Sequence, residues 1–108
     1  DALTDPVQLR ATVDTGLCHG VAGLTHLAAR TAADASPAAA AKLRAVLPSL
    51  LATLIPPGAA PEEAATALVN DRAGPGLLDG AAGTALGILT AASTEPPHTP
   101  WDACLLIA

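Results

Sequence analysis

An eight-residue motif occurs twice in this chain. Residues 16–23 read Gly-Leu-Cys-His-Gly-Val-Ala-Gly and residues 76–83 read Gly-Leu-Leu-Asp-Gly-Ala-Ala-Gly. Five of the eight positions are identical, at an offset of 60 residues. Each copy leads into a mostly apolar run, 24–33 and 84–93, long enough for a helix. Internal repetition of this kind marks an array of like supersecondary units. Glycine costs about 1 kcal/mol against alanine inside a helix. Two glycines three residues apart, at 20/23 and 80/83, therefore predict a helix start that another backbone or a ligand approaches closely. Leu17, Val21, Leu24 and Ala28 form the predicted apolar face beside the first pair. Leu78, Leu86 and Leu89 play the same part in the second copy. A helix with small residues on one side and aliphatics on the other is buried nearly all round.

The rest of the chain is punctuated for helices. Asp5-Pro6 reads as an N-cap with a first-turn proline, opening a short helix to about Asp14. Ser36-Pro37 repeats the device and opens a helix from Ala38 to about Ile55. Its stripe is Leu43, Leu47, Leu50, Leu51 and Leu54, the spacing of one helical face. Pro48 should kink or divide it. Pro61-Glu62-Glu63 starts a further helix to about Arg72, its acids favourable to the helix dipole. The fold class is thus all-α: buried inner helices alternating with amphipathic outer ones, an arc of an α/α toroid. A short extended C-terminal segment follows. Two copies cannot close such a ring, since stacked repeats need at least three units.

Composition supports this and excludes other classes. The chain has 108 residues, 51% of them apolar, but a single aromatic, Trp101, and no Phe, Tyr or Met. That content excludes a disordered chain and leaves an all-β core poorly supplied. Five Lys/Arg against ten Asp/Glu give a net charge of -5, so no basic footprint for nucleic acid. Two cysteines are too few for a disulfide scaffold and fit free thiols in a reducing cytoplasm. The chain opens on Asp1 without a signal-peptide pattern. Its longest charge-free stretches, 45–61 and 80–94, fall short of the roughly 20 apolar residues of a membrane span.

Cys18 and His19 are the residues with chemistry to offer. Thiolate sulfur and imidazole nitrogen are the preferred zinc ligands. Side chains at i and i+1 do not share a helical face, so both reach one ion only where the backbone is irregular. The glycine-flanked helix entrance, Gly16 to Gly20, is such a place. A helix N-terminus also favours the thiolate form of a cysteine. The bland alternative is a buried Cys beside a hydrogen-bonded His. In the second copy Leu78 and Asp79 stand where Cys18 and His19 stand in the first. The second copy keeps the scaffold without the ligands, which favours function at the first. Cys104, in an apolar run, reads as a small buried hydrophobe. His26 lies two turns beyond His19, about 10 Å along a helix. That is too far to share an ion, so it reads as a cavity-lining or hydrogen-bonded core histidine. His98, in Pro96-Pro97-His98-Thr99-Pro100, reads as a loop residue, and Asp71-Arg72 as a solvated helix end.

The two motifs at this separation, with the closing Trp101-Asp102-Ala-Cys-Leu-Leu-Ile-Ala108, resemble the lanthionine synthetase C-like family over essentially the whole chain. The resemblance implies an α/α toroid with glycine-rich motifs at the starts of its inner helices. It also implies a zinc ion held by two cysteines and a histidine. Cys18 and His19 match two of those ligands. The other cysteine and the acid/base histidine of the family lie in earlier motifs and have no match here. Residues 1–108 would be the C-terminal part of one cyclase domain. The implied activity is thioether ring closure: a peptide cysteine adds to dehydroalanine or dehydrobutyrine, giving lanthionine or methyllanthionine. The implied partners are the dehydrated precursor peptide, the N-terminal part of the cyclase and a dehydratase. Two alternatives stand beside it. One is a related enzyme acting on another thiol such as glutathione. The other is a non-catalytic scaffold gripping a leader peptide or a dehydratase.

Overall fold

The computed structural model describes residues 3–93 and 95–105. Five α-helices follow in order: α1 (Pro6–Ala11), α2 (Val21–Asp34), α3 (Pro37–Leu54), α4 (Pro61–Val69) and α5 (Ala81–Ala92). A 3-10 helix at Trp101–Leu105 comes last, and no strand occurs among the described residues. The punctuation works as expected. The Asp5 carboxylate accepts from Val7 N at 2.8 Å, and the Ser36 hydroxyl accepts from Ala39 N at 3.4 Å. Prolines occupy the first helical position of α1, α3 and α4, where a missing N–H costs nothing. Pro48 does not divide α3, which runs unbroken through it with the ring on the exposed side.

The two copies of the motif fold into the same loop-to-helix unit. Gly20 and Gly80 cap α2 and α5 with nearly identical backbone angles, φ -113°/ψ -172° and φ -111°/ψ -164°. In the first copy Val21, Ala22 and Gly23 donate their N–H groups to the carbonyls of Asp14, Thr15 and Gly16. In the second, Ala81, Ala82 and Gly83 donate to Gly74, Pro75 and Gly76. Every one of these bonds reaches back seven residues. The first N–H groups of a helix have no partner within it, so the preceding loop curls back and supplies one. This curl requires glycine. A Cβ on Gly23 would collide with the Leu17 carbonyl oxygen, and one on Gly83 with that of Leu77. The close approach foreseen for the glycine pairs is thus made by the chain's own loop.

Helix α2 packs against α3 on one side and α5 on the other. The α2–α5 crossing is tight: a Cβ on Gly87 would lie 2.9 Å from the Ala22 carbonyl oxygen. Small side chains make this possible, and the buried apolar set is Leu17, Val21, Ala22, Ala28, Ala32, Ala40 and Leu50. The loops are joined as well. Leu17 N and Cys18 N both donate to Leu78 O at 2.8 Å. The Thr84 hydroxyl donates to Gly80 O at 3.1 Å and lies 3.3 Å from Thr15 O.

Three expectations need correction. Leu78 and Leu89 do not form a buried face as Leu17, Val21 and Ala28 do in the first copy: they are 47% and 66% exposed. Cys104 is exposed rather than buried, its thiol 3.2 Å from Trp101 O. The C-terminal segment is not extended over its described part but turns as a 3-10 helix, with Ala103 N donating to Pro100 O. The turn carries the Asp102 carboxylate inward to a partner on α2, which an extended course would not do. Residues 106–108 lie outside the described residues.

Candidate functional site

Cys18 and His19 sit in the turn between Gly16 and the start of α2, where the backbone is not helical. Irregular backbone is what two adjacent ligands need. Both side chains are exposed and line one groove of about 490 Å³. Leu24, Leu27 and Leu78 give that groove an apolar wall. Cys104 lines it too, brought there by the 3-10 turn. Its place in the same groove as Cys18 had no signal in the local sequence, because the two residues are 86 positions apart.

The helix N-terminus does not contribute as expected. The N–H groups of Val21, Ala22 and Gly23 are taken by loop carbonyls, so none is left to face a thiolate at Cys18. His19 has carboxylate neighbours instead. Its Nδ1 lies 3.2 Å from Asp14 Oδ2, and its Nε2 lies 3.3 Å from Asp79 Oδ1. The three side chains are about 60–66% exposed, so solvent screens these contacts to well under ~1 kcal/mol each. His19 also borders a second cavity of about 320 Å³, whose lining includes Asp14, Asp71 and Asp79 but not Cys18. The imidazole thus stands between a thiol-bearing groove and an acidic one.

The donor set suits zinc in kind: one thiol and one imidazole, accessible and adjacent. It is a partial set. Among the described residues no three His, Cys, Asp or Glu side chains converge as a metal cage. Cys18 and His19 are therefore a pair that further ligands would complete.

His26 belongs to a different place. It has no exposed surface, and its Nε2 lies 3.1 Å from Asp102 Oδ2. Arg30 Nε is 3.0 Å from the same oxygen, and the Trp101 ring lies against His26 with centroids 4.7 Å apart. Burial pushes the His26 pKa below its ordinary value of 6.5, against the opposing pull of the Asp102 carboxylate. The core reading of His26 is the right one. Its partners Asp102 and Arg30 went unseen, since nothing local in the sequence pairs residues 76 positions apart. His98 is an exposed loop residue, and Asp71 and Arg72 are exposed beyond the end of α4, as expected. The Asp71 carboxylate accepts from Ala73 N at 2.9 Å.

No helix among the described residues is long and apolar enough to cross a membrane. No family model, curated protein or solved structure matches the chain.

Proposed function

We propose that this chain is the part of a lanthionine-synthetase-like cyclase that carries two of its zinc ligands, Cys18 and His19. The observation that carries the reading is the placement of this pair: adjacent, exposed and non-helical, at the mouth of one of two otherwise equivalent loop-to-helix units. The matching positions of the other unit, Leu78 and Asp79, offer no such pair. A toroid is the architecture proposed around it. Its inner helices would be α2 and α5, which start alike and pack side by side, and α3 and α4 would lie outside them. The further cysteine and the acid/base group would come from earlier motifs of the same cyclase, as the resemblance implies. The two free thiols suit a reducing, cytoplasmic setting.

A zinc ion bound here would supply a positive centre at which a peptide thiol is held as its thiolate near neutral pH, where free cysteine, with a pKa of about 8.5, is mostly protonated. The residues of this chain have separate tasks. Cys18 and His19 would hold the ion. Leu24, Leu27 and Leu78 wall the groove beside the pair with apolar surface that would suit an extended peptide. Gly20 and Gly23 fix the turn that points the pair outward, because any side chain there would push the loop off the helix. The substrate partner is a dehydrated precursor peptide.

The test is metal analysis of the protein joined to a ring-closure assay. Zinc bound by the wild type, lost in Cys18→Ala together with thioether formation on a dehydrated peptide, is the expected result. A protein that holds no zinc, and whose Cys18→Ala variant closes rings normally, sinks the proposal. Zinc bound with addition of glutathione but no peptide cyclisation would move the assignment to another thiol.

A further inference from the structure

We infer that Asp79, in the unit without ligands, is a positioning residue for His19; this rests on the zinc reading above. The second motif is more than a degenerate copy. Its Leu78–Asp79 segment lies directly on the Cys18–His19 turn. Leu78 O accepts the N–H groups of both Leu17 and Cys18 at 2.8 Å, and the next residue sets its carboxylate 3.3 Å from His19 Nε2. The underside of the turn is closed off as well: a Cβ on Gly16 would lie 2.9 Å from Asp79 Cα. Main chain and side chain of one dipeptide thus bracket main chain and side chain of the other.

The bracket has a chemical consequence. An imidazole that ligates a metal through one nitrogen keeps its N–H on the other, and giving that N–H to a carboxylate fixes the ring's tautomer and direction. His19 has a carboxylate within reach of each nitrogen, Asp14 at Nδ1 and Asp79 at Nε2. Asp79 comes from the unit whose backbone is bonded to the Cys18 turn, so its carboxylate moves with the ligand pair. With Asp79 accepting from Nε2–H, Nδ1 would be the nitrogen available to an ion, and the Asp14 carboxylate, 3.2 Å from Nδ1 in the metal-free protein, would have to give way to it. The replacement of His19 by Asp79 at the equivalent repeat position has a use in this light: two copies of one scaffold supply a ligand and its orienting group.

Zinc competition against a chromophoric chelator tests this on the wild type, Asp79→Ala and Asp79→Asn. Thermal unfolding of the metal-free forms and ¹⁵N-histidine NMR of the zinc-loaded forms accompany it. Asp79→Ala should weaken zinc binding by roughly 10-fold, the lower end of the usual effect of removing an orienting partner, because the contact is largely exposed. The metal-free unfolding midpoint should not move, and the His19 resonances should lose their single-tautomer signature. Asp79→Asn retains an acceptor oxygen and should recover most of the affinity. Wild-type-like affinity in Asp79→Ala overturns the inference while leaving the zinc reading intact. A parallel fall of affinity and metal-free unfolding midpoint also overturns it, in favour of a structural role. Absence of zinc from the wild type itself overturns the functional reading and this role together.

Discussion

His26 is the most fully buried large side chain of the molecule's described part, and it is polar. Its Nε2 faces Asp102, while its Nδ1 has no hydrogen-bond partner among the described residues. Removing the carboxylate would orphan the Nε2–H too. A buried donor left unsatisfied costs about 1–3 kcal/mol, and the bond being lost is charge-assisted. Asp102→Ala should therefore lower stability by about 2–3 kcal/mol, read as a shift of the urea midpoint at unchanged slope. The Arg30 side chain, only about a fifth exposed, would lose its counter-charge in the same variant. The pH dependence has a definite sign. Burial lowers the folded-state pKa of His26 below 6.5, so the native protein binds fewer protons there than the unfolded chain. The stabilisation is complete above pH 6.5 and is lost as pH falls toward and through the depressed folded value. Unfolding titrations at pH 7.5 and 5.5 should show this loss, and His26→Gln should remove that component of the slope. An equal slope in the variant would show that the titrating group lies elsewhere.

At the scale of elements, the glycines discriminate best. Gly83 and Gly76 belong to the same motif copy, but their surroundings differ. A Cβ on Gly83 meets Leu77 O and Leu17 Cβ, whereas one on Gly76 meets nothing within 4 Å. Gly83→Ala should cost about 1–3 kcal/mol by forcing the loop off α5. Gly76→Ala, at an ordinary negative φ, should be neutral or slightly stabilising by trimming unfolded-state entropy, by at most about 1 kcal/mol. Chemical denaturation of both variants settles it, and a Gly76→Ala loss as large as that of Gly83→Ala would contradict the packing described. These elements were legible beforehand for plain reasons. Asp5-Pro6, Ser36-Pro37 and Pro61 are local signals, and local hydrogen bonds answer them. The glycine pairs announced a close approach but not what approaches, because the seven-residue return of the loop is not a periodic feature. The C-terminal turn was misread because Trp101-Asp102 takes its conformation from His26 and Arg30, far away in sequence. The candidate site divides the same way. Cys18 and His19 stand out by residue type and by contrast with Leu78 and Asp79, whereas the Asp79 carboxylate beside the imidazole emerges only when the two units are set side by side.

For the whole molecule, equivalent positions of the two units test the proposed arc. Leu17 and Leu77 occupy the same place in the motif, and Leu17 is 2% exposed while Leu77 is 40% exposed. Leu17 is covered because the second unit lies over the first, with Leu17 N bonded to Leu78 O and Leu17 Cβ seated near Gly83. Leu77 has no equivalent cover among the described residues and is left as an exposed apolar side chain of the second unit. Stacked repeats bury each unit's face against the next, which makes stability a sum of unit and interface terms. In the 108-residue chain alone, Leu17→Ala should cost about 2–5 kcal/mol, the range for a buried leucine. Leu77→Ala should stay within about 0.5 kcal/mol, as a surface change. Inside a larger ring of like units, Leu77 would acquire the cover that Leu17 already has, and the two costs should converge. Paired unfolding measurements on both variants, in the chain alone and in any longer protein that contains it, read this directly. Convergence would support stacking of a further unit on the second motif. A Leu77→Ala cost that stays negligible in the longer protein would mean that this face is never covered, and the toroid would have to be given up.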